Sequence, residues 1–260
     1  MKYPLYAILF FALLAVSCAK RTKSVKLIWQ TKTVHDIYCA DGDDQQACTA
    51  VDLEFPLFAS ANAVSDSLNE LILAKLCSEK ITETPCQDAQ SVSDDFIAAY
   101  KIFLEQTPDY QHGWELSQKI SVIRETPAIL SLVHESYAFT GGAHGMSGQY
   151  FYNIDLNSGQ LLALADIIKV ENKAGLLKIA HELFYEQRNI PQGQSLEQAG
   201  YWFEENKFYL PENYTITDEG LYFLYNPYEI ASYADGKIEL FIPNSEINSM
   251  LILRSEIANR

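Results

Sequence analysis

The uncharged stretch from residue 5 to residue 16, preceded by Lys2 and closed by Ser17-Cys18, decides the compartment in which everything after it folds. A positive start, an apolar run of roughly a dozen residues and small residues at the cut mark a secretory signal, and the run is too short to span a bilayer. A Cys directly after the cut supplies the thiol that bacterial lipoproteins acylate. Residues 1–17 therefore read as a lipoprotein signal peptide, Cys18 as the lipidation site and residues 18–24 as a lipidated tether. Ala15 stands where Leu is favoured, and ordinary signal cleavage with Cys18 left as a free thiol is the competing reading. Ala19 is not an Asp, so nothing argues for retention at an inner membrane. The expected location is the cell envelope, on the periplasmic face of an outer membrane or at the cell surface. A multi-chain acyl anchor holds there stably.

An oxidising compartment gives the remaining cysteines a structural reading. Cys39, Cys48, Cys77 and Cys86 are even in number, so two disulfides are expected. Three pairings are open. Cys39–Cys48 and Cys77–Cys86 are favoured, because each closes a polar, turn-rich loop. Metal binding competes weakly, since no C-x-x-C is present and no His is paired at ligand spacing.

The chain is acidic, with 34 Asp and Glu against 19 Lys and Arg and a formal net charge of -15. Loss of Lys2 with the signal makes the body more negative still. The one basic stretch, Lys20-Arg21-Thr22-Lys23, adjoins the anchor. Nucleic acid is excluded as a partner on this balance. A cationic partner would be steered toward such a body, although acidic surfaces also serve solubility alone.

Apolar spacing predicts strands over 25–34 and 49–58, with Pro56 near an edge or a strand end. A helix is expected over 62–77 and a second over 94–105, entered through the box Ser91-Val92-Ser93-Asp94. Residues 114–155 turn to strands, interrupted at Pro127 and again at Gly141-Gly142-Ala143-His144-Gly145. Asn157-Ser158-Gly159 signals a hairpin. Helices follow over 172–188 and 195–206, then strands over 215–225 and 236–242, and a last helix capped by Asn244 and reaching about Leu253. Strand groups separated by a few helices indicate an α+β fold of antiparallel sheets, in two intimately joined subdomains. Their expected spans are 25–135 and 136–260.

No motif supplies a reaction. Gly145-Met146-Ser147-Gly148-Gln149 misses the last Gly of G-x-S-x-G, and H-E-x-x-H, the P-loop and G-x-G-x-x-G are absent. No cofactor and no metal site is expected. His35, His112, His134 and His181 stand isolated and read as structural. Two constellations remain. In the first, Tyr137-Ala138-Phe139-Thr140-Gly141-Gly142-Ala143-His144-Gly145, paired glycines permit unusual backbone beside a His able to bind a ligand or act as acid and base. A tight turn alone is the plainer reading. In the second, residues 221–236, Tyr222, Tyr225, Tyr228 and Tyr233 suit an exposed recognition face together with Glu229, or equally a core strand leading into a loop. The candidate binding residues are Tyr137, Gly141, Gly142, His144, Tyr225, Tyr228, Glu229 and Tyr233; no catalytic residue is assigned.

Together and in this order, these stretches resemble a known periplasmic domain pair. Tyr137 to His144, followed by Asn153-Ile154-Asp155-Leu156-Asn157-Ser158-Gly159-Gln160-Leu161-Leu162-Ala163-Leu164-Ala165-Asp166, looks like the family's "yTGGAH … n-Dl-tGk-l-l-Dl" signature. Residues 208–242, with Tyr228-Glu229-Ile230 and Tyr233-Ala234-Asp235-Gly236, fit its latter half. Residues 48–71, with Phe55-Pro56 and Asn69, are similar to its first half. The pair occurs in RsiV-type anti-sigma factors, where it implies lysozyme binding, and in PdaC-type peptidoglycan deacetylases beside a separate catalytic domain. This chain shows no cytoplasmic sigma-binding segment and no deacetylase domain, so the resemblance implies the fold and an envelope binding role only. The expected function is a lipid-anchored envelope protein that binds a protein or glycan, with lysozyme or peptidoglycan as the partner implied. Its alternatives are a peptidoglycan-active hydrolase using His144 and a structural envelope lipoprotein.

Overall fold

The structure, a computed structural model, describes residues 27–40, 48–60 and 62–252. The expected signal peptide, the expected lipidation site Cys18 and its tether, the loop residues 41–47 and Leu253 lie outside the described residues. Nine strands and five α-helices form two sheets and their covering layers among those described. The strands are β1 Trp29–Cys39, β2 Cys48–Phe58, β3 Glu115–Glu125, β4 Ile129–Phe139, β5 Met146–Asp155, β6 Gln160–Leu161, β7 Tyr214–Ile216, β8 Gly220–Tyr225 and β9 Ile238–Pro243. The helices are α1 Ala63–Leu76, α2 Ala89–Gln106, α3 Leu164–Ile167, α4 Lys173–Gln187 and α5 Asn244–Ile247.

β1 to β6 form one sheet in sequence order, and β7 to β9 a second. The fold is α+β, as the strand and helix grouping indicates. Every paired strand is antiparallel except β2 and β3, which run parallel. A parallel pair needs a long crossover, and α1 and α2 supply it. Pro56 causes no conflict, because β2 pairs with β3 only over Ala50–Glu54.

Alternation places Leu130 and Leu132 of β4 and Ile154 of β5 on the face covered by α1 and α2. α1 meets that face through Leu68, Ile72 and Leu76, and α2 through Phe96 and Tyr100, which stack around Trp114. Asn62 caps α1, its side-chain oxygen accepting from the N–H groups of Val64 and Ser65. Asn69 then pairs both polar atoms with the Phe58 backbone, fixing the helix to the end of β2. The second core lies between α4 and the three-stranded sheet. Leu176, Ala180 and Phe184 of α4 face Phe223, Tyr225, Leu240 and Ile242. Both cores start from β4, since Ile129 belongs to one and Leu130 to the other.

Several boundaries differ from the sequence expectation. β1 runs to Cys39 because it pairs with β2 along its whole length, to Cys39 opposite Cys48. α2 begins at Ala89, not Asp94: Asp88 accepts from the Ser91 N–H at 2.9 Å and caps an earlier turn. No helix spans 195–206. Ser195 and Gln198 bond reciprocally, but Gly200 at φ +92° ends that turn, and Glu205 and Asn206 are left-handed. The strand expected over 215–225 is a hairpin, turned where the Thr217 hydroxyl oxygen accepts from the N–H groups of Glu219 and Gly220. α5 stops at Ile247, and Leu251 instead bridges Ile168. Asn244 does not cap it; its amide donates to the Asp218 carbonyl. β4 runs unbroken through residues 135 and 136, and the first sheet continues to Leu161. Both disulfides, Cys39–Cys48 and Cys77–Cys86, are present. No helix among the described residues is long and apolar enough to cross a membrane.

Asparagines join the two sheets. Asn153, 2% exposed on β5, donates to the Tyr214 carbonyl at 2.9 Å. Its oxygen accepts from Ser131, Thr215 and the Ile216 N–H. A buried amide stripped of such partners costs about 1–3 kcal/mol for each group left unpaired. Asn153→Ala should therefore lower unfolding free energy in urea by about 2–4 kcal/mol. Asn157→Ala, in the exposed turn, should stay within about 1 kcal/mol. Equal effects would mean that other contacts hold the sheets together.

Candidate functional site

The two loops singled out in the sequence meet at one end of the molecule. The β4–β5 turn makes its reversal with Gly141 and Gly142 at φ +98° and +95°, a region that side chains strain to enter. Gly145 then lets the Tyr137 ring cross the backbone: a Cβ at this position would lie 2.4 Å from the Tyr137 Cζ. His144 is thereby held outward, its Nδ1 2.9 Å from the Gly145 carbonyl oxygen. The β8–β9 loop brings Tyr233 parallel to it, with ring centroids 4.2 Å apart and planes at 16°. Tyr228 lies 5.5 Å from Tyr233, with its hydroxyl 3.5 Å from His144 Nε2.

Tyr228 is 48% exposed and sits at φ +69°. A bulky residue in that region stores strain, which clusters at functional sites. Neighbouring bonds impose it, since the Asn226 N–H donates to Glu229 and the Glu229 N–H to the Asn226 carbonyl. Desolvation pushes the Glu229 carboxyl above the usual range, against the Asn226 hydrogen bond.

The structure thus brings Tyr137, Gly141, Gly142, His144, Tyr228, Glu229 and Tyr233 to one end. It does not bring Tyr225. That side chain is fully buried among Phe184, Phe203 and Tyr209, with its hydroxyl donating to the Tyr209 carbonyl. Burial holds its phenol far above the ordinary value. Its place on β8 directed it into the second core, as strand alternation requires.

A second feature gave no sequence signal. A groove of about 1140 Å³ opens between the end of α1, the face of β4 and β5, and the N-terminal half of α4. Its floor carries His134, Tyr150 and Tyr152. His134 is 1% exposed, and its Nε2 lies 3.0 Å from the Gln118 oxygen. The Gln118 amide is spent on the Leu76 carbonyl, so Nε2 donates and Nδ1 keeps a free lone pair. Nδ1 is buried and has no hydrogen-bond partner. Lys75 sits 4.7 Å above the Tyr152 ring. The groove is assembled from segments far apart in sequence, each with a periodicity that reads simply as core.

Burial, with Lys75 nearby, pulls the His134 pKa down to about 4. An unfolded His titrates near 6.5, so between about pH 6.5 and 4 the unfolded chain binds a proton that the folded chain refuses. Stability then falls as pH drops through that window, by up to about 3 kcal/mol. Glu79 and Glu229, raised by burial, act in the opposite direction. His134→Phe isolates the histidine: its urea-unfolding profile should lose this slope relative to the parent chain. Parallel profiles would show that His134 titrates normally.

Residues 43–147 match the family described as Deacetylase PdaC, and residues 165–245 match one described as Protein of unknown function (DUF3298). Several solved structures share the fold, two of which belong to the DUF3298 family. A DUF3298 family member from Bacteroides fragilis superposes with a TM-score of 0.76 at 22% identity, over 91% of this chain and 99% of that one. A DUF3298 family protein from Pseudomonas aeruginosa gives 0.64 at 21% identity, over 87% and 96%. No curated protein matches the chain. Two successive stretches of the chain thus match the PdaC and DUF3298 models, and its fold is that of solved DUF3298 proteins.

Proposed function

We propose that this protein is a lipid-anchored component of a bacterial cell envelope that binds a cationic protein through its two-loop aromatic end, and that lysozyme is such a partner. The observation that carries the reading is the stack of His144 on Tyr233 beside the exposed, strained Tyr228. Two loops far apart in sequence are held rigidly to present three rings on one surface. Tyrosines so placed give large contact area at low entropic cost. The net charge of -15 supplies the attraction for a cationic partner. Lipidation at Cys18 would keep that surface at the membrane.

The hydrolase reading of His144 draws less support. Its ring nitrogens face the Gly145 carbonyl and the Tyr228 hydroxyl, and its face is taken by Tyr233. That geometry suits recognition better than proton transfer.

Calorimetric titration with an animal-type lysozyme at two salt concentrations tests the proposal. Saturable one-to-one binding, weakened by salt, is expected. Tyr228→Ala with Tyr233→Ala should then weaken it by about 2–4 kcal/mol, as removal of aromatic anchors does. No heat at either salt concentration would remove lysozyme as the partner. Binding untouched by the double substitution would move the interface elsewhere.

A further inference from the structure

The groove beneath α4 is lined by none of the three stacked rings, although Glu229 acts on its Tyr150 and Tyr209. Its charged lining residues are Lys75, Glu79, Lys173 and Glu212, two of each sign in a chain of net charge -15. Such local balance favours neither an anion nor a cation. Leu161 and Leu177 line the groove and remain 45% and 39% exposed, an apolar surface left open among the described residues. The inner wall is polar and aromatic. Tyr150 is 37% exposed, with its ring 6.1 Å from that of His134. The same His134 ring carries the buried, unpartnered Nδ1, an acceptor because Nε2 donates to Gln118. A buried acceptor without a donor is costly, and a ligand hydroxyl would satisfy it.

We propose that this groove binds an uncharged amphiphile, its apolar chain against Leu161 and Leu177 and its hydroxylated head toward Tyr150 and His134. One wall supplies apolar area and the other a few polar groups, the division found in small-molecule sites. Nδ1 is covered in this structure, so a ligand hydroxyl would bond it only after a neighbouring side chain such as the half-exposed Tyr150 moves. A carboxylate head would meet a lone pair there and be repelled. An ammonium head would meet Lys75 over Tyr152 as well as the Glu79 carboxyl beside Tyr150, and gains no net attraction from that pair.

The test uses the full chain carrying Cys18→Ser, purified without detergent. It is titrated calorimetrically with octyl glucoside below its micellar concentration, and with octanoate and octylamine, which share the eight-carbon tail. Octyl glucoside should bind one-to-one and at least about tenfold more tightly than either charged probe. His134 ring resonances should shift on binding. Leu177→Asp, at an exposed position that folding tolerates, should abolish it, whereas His144→Ala should leave it unchanged. Saturable binding of octanoate as tight as that of octyl glucoside would overturn the proposal. So would absence of saturation, or binding that survives Leu177→Asp with His134 unshifted. Neither result bears on the lysozyme reading, which rests on His144, Tyr228 and Tyr233, none of which lines the groove.

Discussion

Asparagine side chains, not strands, close the free edge of β5. β6 pairs with only two of its residues, so the stretch toward Met146 would otherwise present unpaired backbone groups. Asn213 accepts from the Phe151 N–H and donates to the Gln149 carbonyl, while Asn226 accepts from the Gln149 N–H and donates to the same carbonyl. An asparagine amide carries one acceptor and donors in the geometry of a peptide group. Each therefore acts as a single residue of a missing strand. Asn153 answers from the buried side of β5 by bonding the backbone of β7. The second sheet is thus held against the first by side chains placed on opposite sides of one joint.

The aromatic end follows from that joint. Asn226 opens the β8–β9 loop, so its bond to Gln149 fixes the loop root against the strand that leaves the β4–β5 turn. Lys237, near the other end of the loop, also donates to the Gln149 side chain. Both loops are anchored within a few residues of their tips. His144 and Tyr233 can then stack without the ordering cost that two free loops would incur. The left-handed Tyr228 survives because its neighbours over-determine it.

Much of this was readable in the sequence where local chemistry decides structure. The disulfide pairs follow from short polar loops, α1 and α4 from apolar spacing, and the β4–β5 turn from paired glycines. Failures fell where a distant partner decides. Asp88 takes the α2 cap that Ser91 advertises, and the Cys39–Cys48 end of the hairpin draws β1 well past Val34. Tyr225 looked like its exposed neighbours because tyrosine suits both a core and a surface, and only strand phase separates the two. The groove was invisible: His134 sits in an apolar run, and only the folded sheet shows that one ring nitrogen lacks a partner.

Under the proposed function the two-loop end is the contact surface and the helical face a covering layer. Amide hydrogen exchange of the chain, with and without saturating lysozyme, addresses that claim most directly. Slowed exchange confined to residues 140–145 and 226–236 is the expected result. Slowed exchange on α1 and α2, with both loops unchanged, would contradict it.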